Sequence, residues 1–510
     1  MKQANNPDHT PAQIGLPTLQ SRLPSGMIRL LQTRRAFVAI LALGLICMAA
    51  RGVADPDVWW HLRTGQLMIQ NYSLFHTDPY SFTRFGQPWV NHEWLSQILI
   101  FGLYRIAGFG GLIVGFAGVI ASTLLLVFMR CPGRPYLAAL MTLWGAVASA
   151  PAWGVRPQML SLLLASIFLV LLEASEKRPG LLWWTPPLML LWVNLHAGYP
   201  VGLVFLALFL LGEGLEAAVR SAPSAQSTTR LRNLALALAV SLAVVPLNPN
   251  GLKIFIYPFE TLSSTGMQKF IQEWSSPNFH DPMYAPSLLM LLALMTGLAV
   301  SPQRPSIRDL VLLLATIPAA LRSIRHIPIA VLILIPILAR LAEGWLRQRG
   351  PGRLLERGQS EPTRRILLVN ALVLISFTAF TVARVRHVVS LQPETEARHF
   401  PVAGTAFLAR ERPPGPIMNH YNWGGYFIWK LYPDYRVFLD GRADVYGDQF
   451  MDQFAASYYL TDDWKMLLQQ WGIRTLILPP DAPLITALQA GGGWTQIYAD
   501  SEAVVMVKPQ

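Results

Sequence analysis

The sequence predicts a polytopic α-helical membrane protein of about eleven spans plus one re-entrant or interfacial segment, ending in a small extracytoplasmic α/β domain. Three observations predict it. Of 510 residues, 53% are hydrophobic and only 14% charged, where a soluble domain carries roughly 25% charged residues. Apolar runs of about 15 to 21 residues recur between Arg35 and Arg386, each long enough to cross or nearly cross a hydrocarbon core about 30 Å thick. After Arg386 the pattern changes to short β-like runs, helical periods and turn-rich links. The same composition excludes a disordered chain, a coiled coil, collagen and a disulfide scaffold. The two cysteines, Cys47 and Cys131, fall in or beside apolar runs and read as lipid-buried thiols.

Residues 1–34 are polar, without apolar periodicity, and read as a disordered cytoplasmic tail. The run Ala36–Ala50 reads as an uncleaved first helix and not as a signal-peptide core, because many spans follow it. Further runs lie near 93–107, 110–129, 136–152, 158–174, 182–195, 198–218, 231–247, 284–300, 308–321, 326–344 and 365–385. Basic loops are retained in the cytoplasm. That places Arg130 with Arg134, Lys177 with Arg178, Arg220 with Arg230 and Arg232, Arg304 with Arg308, and the arginine-rich stretch 345–365 inside. These loops alternate with the runs from 110 onward, and the last helix exits outward. The tail carries Lys2, Arg22, Arg29, Arg34 and Arg35 against Asp8 alone, so the first helix also ends outside. The stretch 52–109 then begins and ends outside, which makes 93–107 the segment that does not span.

This divides the chain into a transmembrane domain at 35–388, with outer loops 52–109 and 248–283, and an outer α/β domain at 389–510. Within the latter, Arg436–Leu439 and Thr475–Leu478 read as strands, and Asp448–Tyr459 and Asp463–Trp471 as helices. The formal charge of +12 is spent on orienting helices in a cytoplasmic (inner) membrane. No basic face interleaved with aromatics is present, so nucleic acid is not an expected partner.

On this topology the unusual polar residues collect on one side. The first outer loop reads Asp55-Pro-Asp57-Val-Trp-Trp-His61-Leu-Arg63, passes through His76-Thr-Asp78-Pro-Tyr, and reaches Trp89-Val-Asn-His92-Glu93-Trp94. Carboxylates, histidines and tryptophans at a bilayer surface suit a polar group carried on a lipid, with the rings at headgroup depth. The alternative for Asp57 is a helix cap, with Val58, Trp59, Leu62 and Ile69 on a membrane face. Four other outer features join it. Arg156, in Val155-Arg156-Pro157, runs against the orientation bias. Asn194-Leu-His196-Ala-Gly198 stands at a helix end, where a simple terminus is the competing reading. Glu273, in the loop 248–283, reads either as a site acid or as a hydrated loop residue. Arg322 and Arg325-His326 stand a turn apart, spaced to share a phosphate or to anchor the helix by snorkelling.

Signals for other chemistries are missing: no phosphate-loop motif, no His-Glu-x-x-His and no Cys-x-x-Cys occur. Glu173, Glu213 and Glu216 fall near cytoplasmic ends, which disfavours an ion-coupled transporter with a midplane charge. A transporter or flippase of lipid-linked saccharides and a non-catalytic envelope scaffold remain the competing functions.

A short first helix, an outer loop opening with Asp55-x-Asp57, many spans and an outer C-terminal α/β domain together resemble the C-type (GT-C) glycosyltransferase superfamily. Asp55-Pro-Asp57-Val-Trp-Trp-His61-Leu-Arg63-Thr-Gly is similar to the first acidic motif of oligosaccharyltransferase catalytic subunits. Asn422-Trp423-Gly424-Gly425-Tyr426, followed by Phe438-Leu-Asp440-Gly-Arg442, is similar to their Trp-Trp-Asp-Tyr-Gly region, although Asn422 stands without that motif's acid. The resemblance implies an inverting transfer of sugar from a polyprenyl-phosphate donor, in membrane lipid, to a glycan, lipid or protein acceptor. Such a transfer needs a carboxylate to take the acceptor proton or hold a metal, and cations to stabilise the leaving phosphate. Asp57 is the first candidate for base or metal ligand and Asp55 its partner; a divalent ion, Mg or Mn, would sit between them. Asp78 and Glu273 are further acids. Arg325, His326, Arg156 and Arg322 are the phosphate candidates, and His61, His92, Glu93, Asn194 and His196 the substrate-binding ones. The α/β domain is expected to bind acceptor or cover the site. The alternative for Asp440-Gly-Arg442-Ala-Asp444 is a strand end with a surface ion pair.

Overall fold

The computed structural model describes residues 31–219, 225–349, 363–461 and 464–509. The expected tail, apart from its last residues, and the arginines of 350–362 lie outside them. The helices, in order, are α1 (Thr33–Ala49), α2 (Val58–Asn71), α3 (Trp94–Arg130), α4 (Pro135–Ser149), α5 (Pro157–Ala174), α6 (Thr185–Leu195), α7 (Pro200–Val219), α8 (Ala225–Val244), α9 (Lys253–Ser263), α10 (Thr265–Phe270), α11 (Ala285–Val300), α12 (Ile307–Arg322), α13 (Ile327–Gln348) and α14 (Arg364–Ser390). Among the described residues, seven helices are at least 18 residues long and apolar enough to cross a membrane. The protein is a multi-pass membrane protein. In α13 the apolar window is 83% buried inside the protein, and in α14 only 11%. The first is therefore the central post of the bundle and the second faces lipid.

Local chemistry accounts for the helix ends. Pro135 and Pro157 open α4 and α5, where the missing N–H costs nothing. α12 starts on a capping box, Ser306 Oγ accepting from Asp309 N at 3.0 Å and Asp309 Oδ2 from Ser306 N at 3.2 Å. The apolar runs near 93–107 and 110–129 form one helix broken at Ala107 and Gly108. Gly108 takes φ +56°, a conformation glycine adopts without steric cost. A Cβ on Gly115 would lie 3.1 Å from Leu103 Cδ1, although a straight helix would separate residues twelve apart by roughly 18 Å. The chain thus turns back sharply at Gly108, and the arm 94–106 packs on α2.

Opposite-charge pairs gather at one end of the bundle. Arg130 pairs with Glu173 at 2.7 Å, Arg230 with Glu213 at 2.6 Å, Arg134 with Glu343 at 3.7 Å, Arg340 with Asp309 at 2.5 Å, and Arg308 with Glu176. They tie α3, α5, α7, α8, α12 and α13 together at the ends predicted to be basic. Cys47 and Cys131 are free and half-buried.

Beyond α14 follow α15 (Gln392–His399), α16 (Val402–Glu411), β1 (Ile417–Asn419), α17 (Gly424–Leu431), α18 (Ala443–Tyr446), α19 (Asp448–Tyr459), α20 (Trp464–Gln470), β2 (Thr475–Leu478), α21 (Pro483–Gly491), β3 (Thr495–Ala499) and β4 (Val504–Val507). The sheet order is β1-β2-β4-β3, with β1 parallel to β2 and the other pairs antiparallel. Met418, Leu476, Leu478, Phe438, Phe450 and Phe454 fill the core beneath α19 and α21. The expected strand Arg436–Leu439 is not part of this sheet. Its backbone is used by the first loop instead: Val437 N donates to Tyr80 O at 3.0 Å and Phe82 N to Val437 O at 3.1 Å. The loop and the α/β domain are thereby joined into one wall.

Candidate active site

A cavity of about 650 Å³ lies between the bundle and the α/β domain, at the end away from the ion-paired ends. Asp57 stands on its wall just before α2. Its Oδ1 accepts from Trp60 Nε1 at 3.0 Å, and its own N–H donates to Asp55 Oδ1 at 2.8 Å. It makes no cap bond to α2, because the carboxylate is turned to the indole. Val58, Trp59 and Leu62 are fully buried in protein, Trp59 packing edge-on against Phe109, Phe400 and Tyr426. The cap reading and the membrane face that went with it are therefore corrected. Burial raises the Asp57 carboxyl to about 6; the charges of Glu93 and Asp440 add to the rise, while the Trp60 bond and Arg325 oppose it.

Deeper in the cavity, Glu93 is ringed by three imidazoles from three segments. His61 Nε2 lies 3.5 Å, His92 Nε2 3.4 Å and His196 Nε2 3.3 Å from its carboxylate. His196 Nδ1 receives the Gly198 N–H at 2.9 Å and faces Ser161 Oγ at 2.7 Å. That assigns its proton to Nε2, toward Glu93. Burial pushes His61 down to about 4 and His196 to about 3. Burial opposes the charge on His92 as well, but the charge and hydrogen bond of Glu93 outweigh it and hold His92 above its ordinary value. Glu93 lies well below the usual carboxylate range: burial opposes this, and His92, His61 and His196 overcome it. Of the three imidazoles around Glu93, His92 is the one whose charged form the carboxylate favours, while burial favours the neutral form of His61 and His196.

On a third side, Arg156 at the start of α5 touches Asp55 through Nε and Glu273 through Nη1. Arg325 approaches the other oxygen of Glu273 at 3.5 Å and lies over the Trp274 ring at 4.8 Å. The fourth side belongs to the α/β domain: Tyr421, Asn422, Gly441, Arg442, Ala443 and Asp444. Arg442 is clamped by Asp440 at 2.6 Å and Asp78 at 2.8 Å, with Tyr446 Oη donating to Asp440 at 2.7 Å. It also stacks near Trp89 at 4.7 Å. Five buried polar atoms of cavity-lining residues have no hydrogen-bond partner in the protein: His61 Nδ1, Gln158 Oε1, Arg325 Nε, His326 Nδ1 and Arg442 Nη1. Unpaired buried groups gathered in one cavity are what a polar ligand satisfies.

No family model matches the sequence, and no curated protein matches it. Solved structures do. The archaeal oligosaccharyltransferase AglB from Archaeoglobus fulgidus, in complex with an inhibitory peptide and a dolichol-phosphate, aligns over 87% of this chain and 69% of its own at 10% identity and TM-score 0.52. The chain shares the fold of that oligosaccharyltransferase. ArnT from Cupriavidus metallidurans, bound to undecaprenyl phosphate, aligns over 96% of this chain and all of its own at 15% identity and TM-score 0.48.

Nine of the anticipated residues line the cavity: Asp57, His61, His92, Glu93, Arg156, His196, Glu273, Arg325 and His326. Four do not. Asp55 sits behind Asp57, holding its backbone and Arg156. Asp78 is consumed by Arg442 and by Ser81, whose hydroxyl donates to it, and by the N–H groups of Tyr80 and Ser81; it is a structural anion and no catalytic acid. Asn194 is likewise spent, its Oδ1 accepting from Trp94 Nε1 at 2.9 Å and its amide donating to Leu190 O at 2.8 Å. Arg322 is exposed and points elsewhere, because α12 ends there and Ser323 is extended at φ −148°, ψ 130°. The helical turn that would have paired it with Arg325 does not exist. The ion pair of Asp440 and Arg442 is fully buried rather than superficial. Tyr257, Gln158, Ser161, Tyr421, Asn422 and Asp444 line the cavity without having been singled out as site residues.

Asp55 and Asp57 do not form a two-carboxylate ligand pair for Mg or Mn. One carboxylate is given to Arg156 and a backbone N–H, the other to an indole. Among the described residues no three His, Cys, Asp or Glu side chains are arranged as a ligand set.

Proposed function

We propose that the protein is a membrane glycosyltransferase that moves a sugar from a polyprenyl-phosphate donor to an acceptor hydroxyl on the extracytoplasmic face. The observation that carries this reading is the convergence, in one cavity, of a carboxyl poised at about 6 with Arg156, Arg325 and unpartnered polar atoms. The orientation rests on the arginine-rich loops at the opposite end, which the positive-inside bias keeps in the cytoplasm.

In this mechanism Asp57 accepts the proton of the acceptor hydroxyl as its oxygen attacks the anomeric carbon. The carbon–oxygen bond to the carrier breaks on the far side, so the anomeric centre inverts. The leaving phosphate gathers charge as it departs, and Arg325 with Arg156 stabilises it. Asp55 fixes Arg156 and the Asp57 backbone. Tyr421, Asn422 and Asp444 offer hydroxyl, amide and carboxylate groups to the acceptor from the α/β domain. A transporter would need charges along the mid-membrane; here Glu173, Glu213, Asp309 and Glu343 are paired at the far end.

The test is transfer of labelled sugar from a panel of polyprenyl-phosphate sugars by purified protein in lipid. Arg325→Ala is expected to lower kcat/KM for the donor about tenfold or more, the worth of a charged hydrogen bond; an unchanged kcat/KM would remove Arg325 from the phosphate. A base must be ionised to act, so kcat/KM is expected to fall about tenfold per pH unit below about 6 and to level off above it. A profile flat from pH 5 to 8 would contradict Asp57 as the titrating base.

A further inference from the structure

Glu273 has no role in the mechanism above, yet it occupies the position that mechanism reserves for the phosphate. Its carboxylate bridges Arg156 and Arg325, which reach it from the starts of α5 and the segment before α13. Two guanidinium groups around one oxyanion are the usual recognition of a phosphate. The two acids on Arg156 are not equivalent. Asp55 is 7% exposed and also tied to the Asp57 backbone, whereas Glu273 is 30% exposed. Its hold on Arg325 is a single long contact of 3.5 Å, and Arg325 Nε has no partner. Asp55 is the fixed counter-ion and Glu273 the exchangeable one.

The backbone around Glu273 is anchored. Ser323 Oγ donates to Glu273 O at 2.9 Å, and Ile324 N to Ser275 O at 3.0 Å. Farther back on the same loop, Ser264 Oγ donates to Asp448 Oδ1 at 2.5 Å. A phosphate placed between the two arginines would displace the Glu273 carboxylate, and the anchored backbone would keep that charge close to whatever the arginines hold.

We propose that Glu273 selects the charge state of the bound carrier, admitting the singly charged phosphodiester and expelling the phosphomonoester left after transfer. This rests on the donor reading above. A diester carries one negative charge, and a monoester carries about −1.5 to −2 at pH 7. The four groups in contact, Arg156 and Arg325 against Asp55 and Glu273, sum to zero, and Asp57 and Glu93 add negative charge nearby, a balance that accepts one added charge more readily than two. The carboxylate that yields to the donor then competes for the arginines with the spent carrier.

The test is equilibrium binding to the full chain in nanodiscs, comparing undecaprenyl phosphate with its methyl diester, for wild type, Glu273→Gln and Arg325→Ala. Glu273→Gln is expected to bind the monoester at least tenfold tighter and the diester less than threefold tighter; a merely structural role would move both alike. Arg325→Ala is expected to weaken both. Inorganic phosphate is the competitor that separates lipid from free anion, and millimolar phosphate is expected to leave lipid binding intact. Equal shifts for the two lipids, or none, would overturn Glu273 as the selector while leaving the donor reading standing. Displacement by inorganic phosphate would overturn it as a selector of lipid carriers. Failure of wild type and Glu273→Gln to bind either lipid would overturn both.

Discussion

Asp57→Asn is expected to lower kcat by about 10²- to 10⁴-fold, the range that a positioned general base contributes, while the protein inserts and folds as before. Asparagine keeps the shape of the side chain, and its carbonyl oxygen can still accept from Trp60 Nε1, the bond that orients the native carboxylate. What it loses is the capacity to take a proton. Burial already disfavours the charge on Asp57, so its removal should not destabilise the fold. Near-native kcat in the Asn protein would remove Asp57 from the reaction. A large loss of folded protein would show that the residue is structural, as Asp78 is.

Gly441→Ala is the second large effect expected. A Cβ on Gly441 would lie far inside van der Waals contact with Asp57 Oδ1, so either the carboxylate or the α/β domain must move. A displacement of about 1 Å at a reacting group costs roughly 100-fold in rate. The loss should fall on kcat rather than on donor KM, because Arg156 and Arg325 lie on other elements. It should also be largely absent when the change is made in the Asp57→Asn protein, since two substitutions acting through one group do not add. Full additivity, or unchanged kcat in Gly441→Ala alone, would contradict the close approach of the α/β domain to the base.

The bundle was legible because its signal is strong and local: long apolar runs and basic loops give both the helices and the shared end of the cavity. The first loop was legible for a different reason, the density of carboxylates and histidines between Asp55 and Glu93. What failed were inferences about geometry at breaks. Arg322 and Arg325 share a face only on a helix that continues through Ser323, whose extended backbone no apolar pattern announces. Arg436–Leu439 has strand composition, but its partner is Tyr80–Phe82, about 350 residues earlier in the chain, a pairing that no periodicity encodes. The same distance hid Asp444 and Tyr421, whose importance comes only from facing Asp57 and His92 across the cavity. Two further signals stand in the sequence. Gly424-Gly425 opens a helix, and Gly441 separates Asp440 from Arg442; each marks a close approach of backbone, to Leu439 and Asp440, to Pro56 and to Asp57. Asp78 and Asn194 show the converse, polar residues in the right compartment whose bonding capacity is already filled.

The most direct measurement is transfer of labelled sugar from polyprenyl-phosphate sugars by wild type and Asp57→Asn, purified side by side in the same lipid. The account predicts product from the wild type with at least one donor and a loss of about 100-fold or more in the variant. Equal product from both would contradict the role of Asp57. No product from any donor, with the wild-type protein folded, would contradict the glycosyltransferase reading itself and favour a carrier or a scaffold.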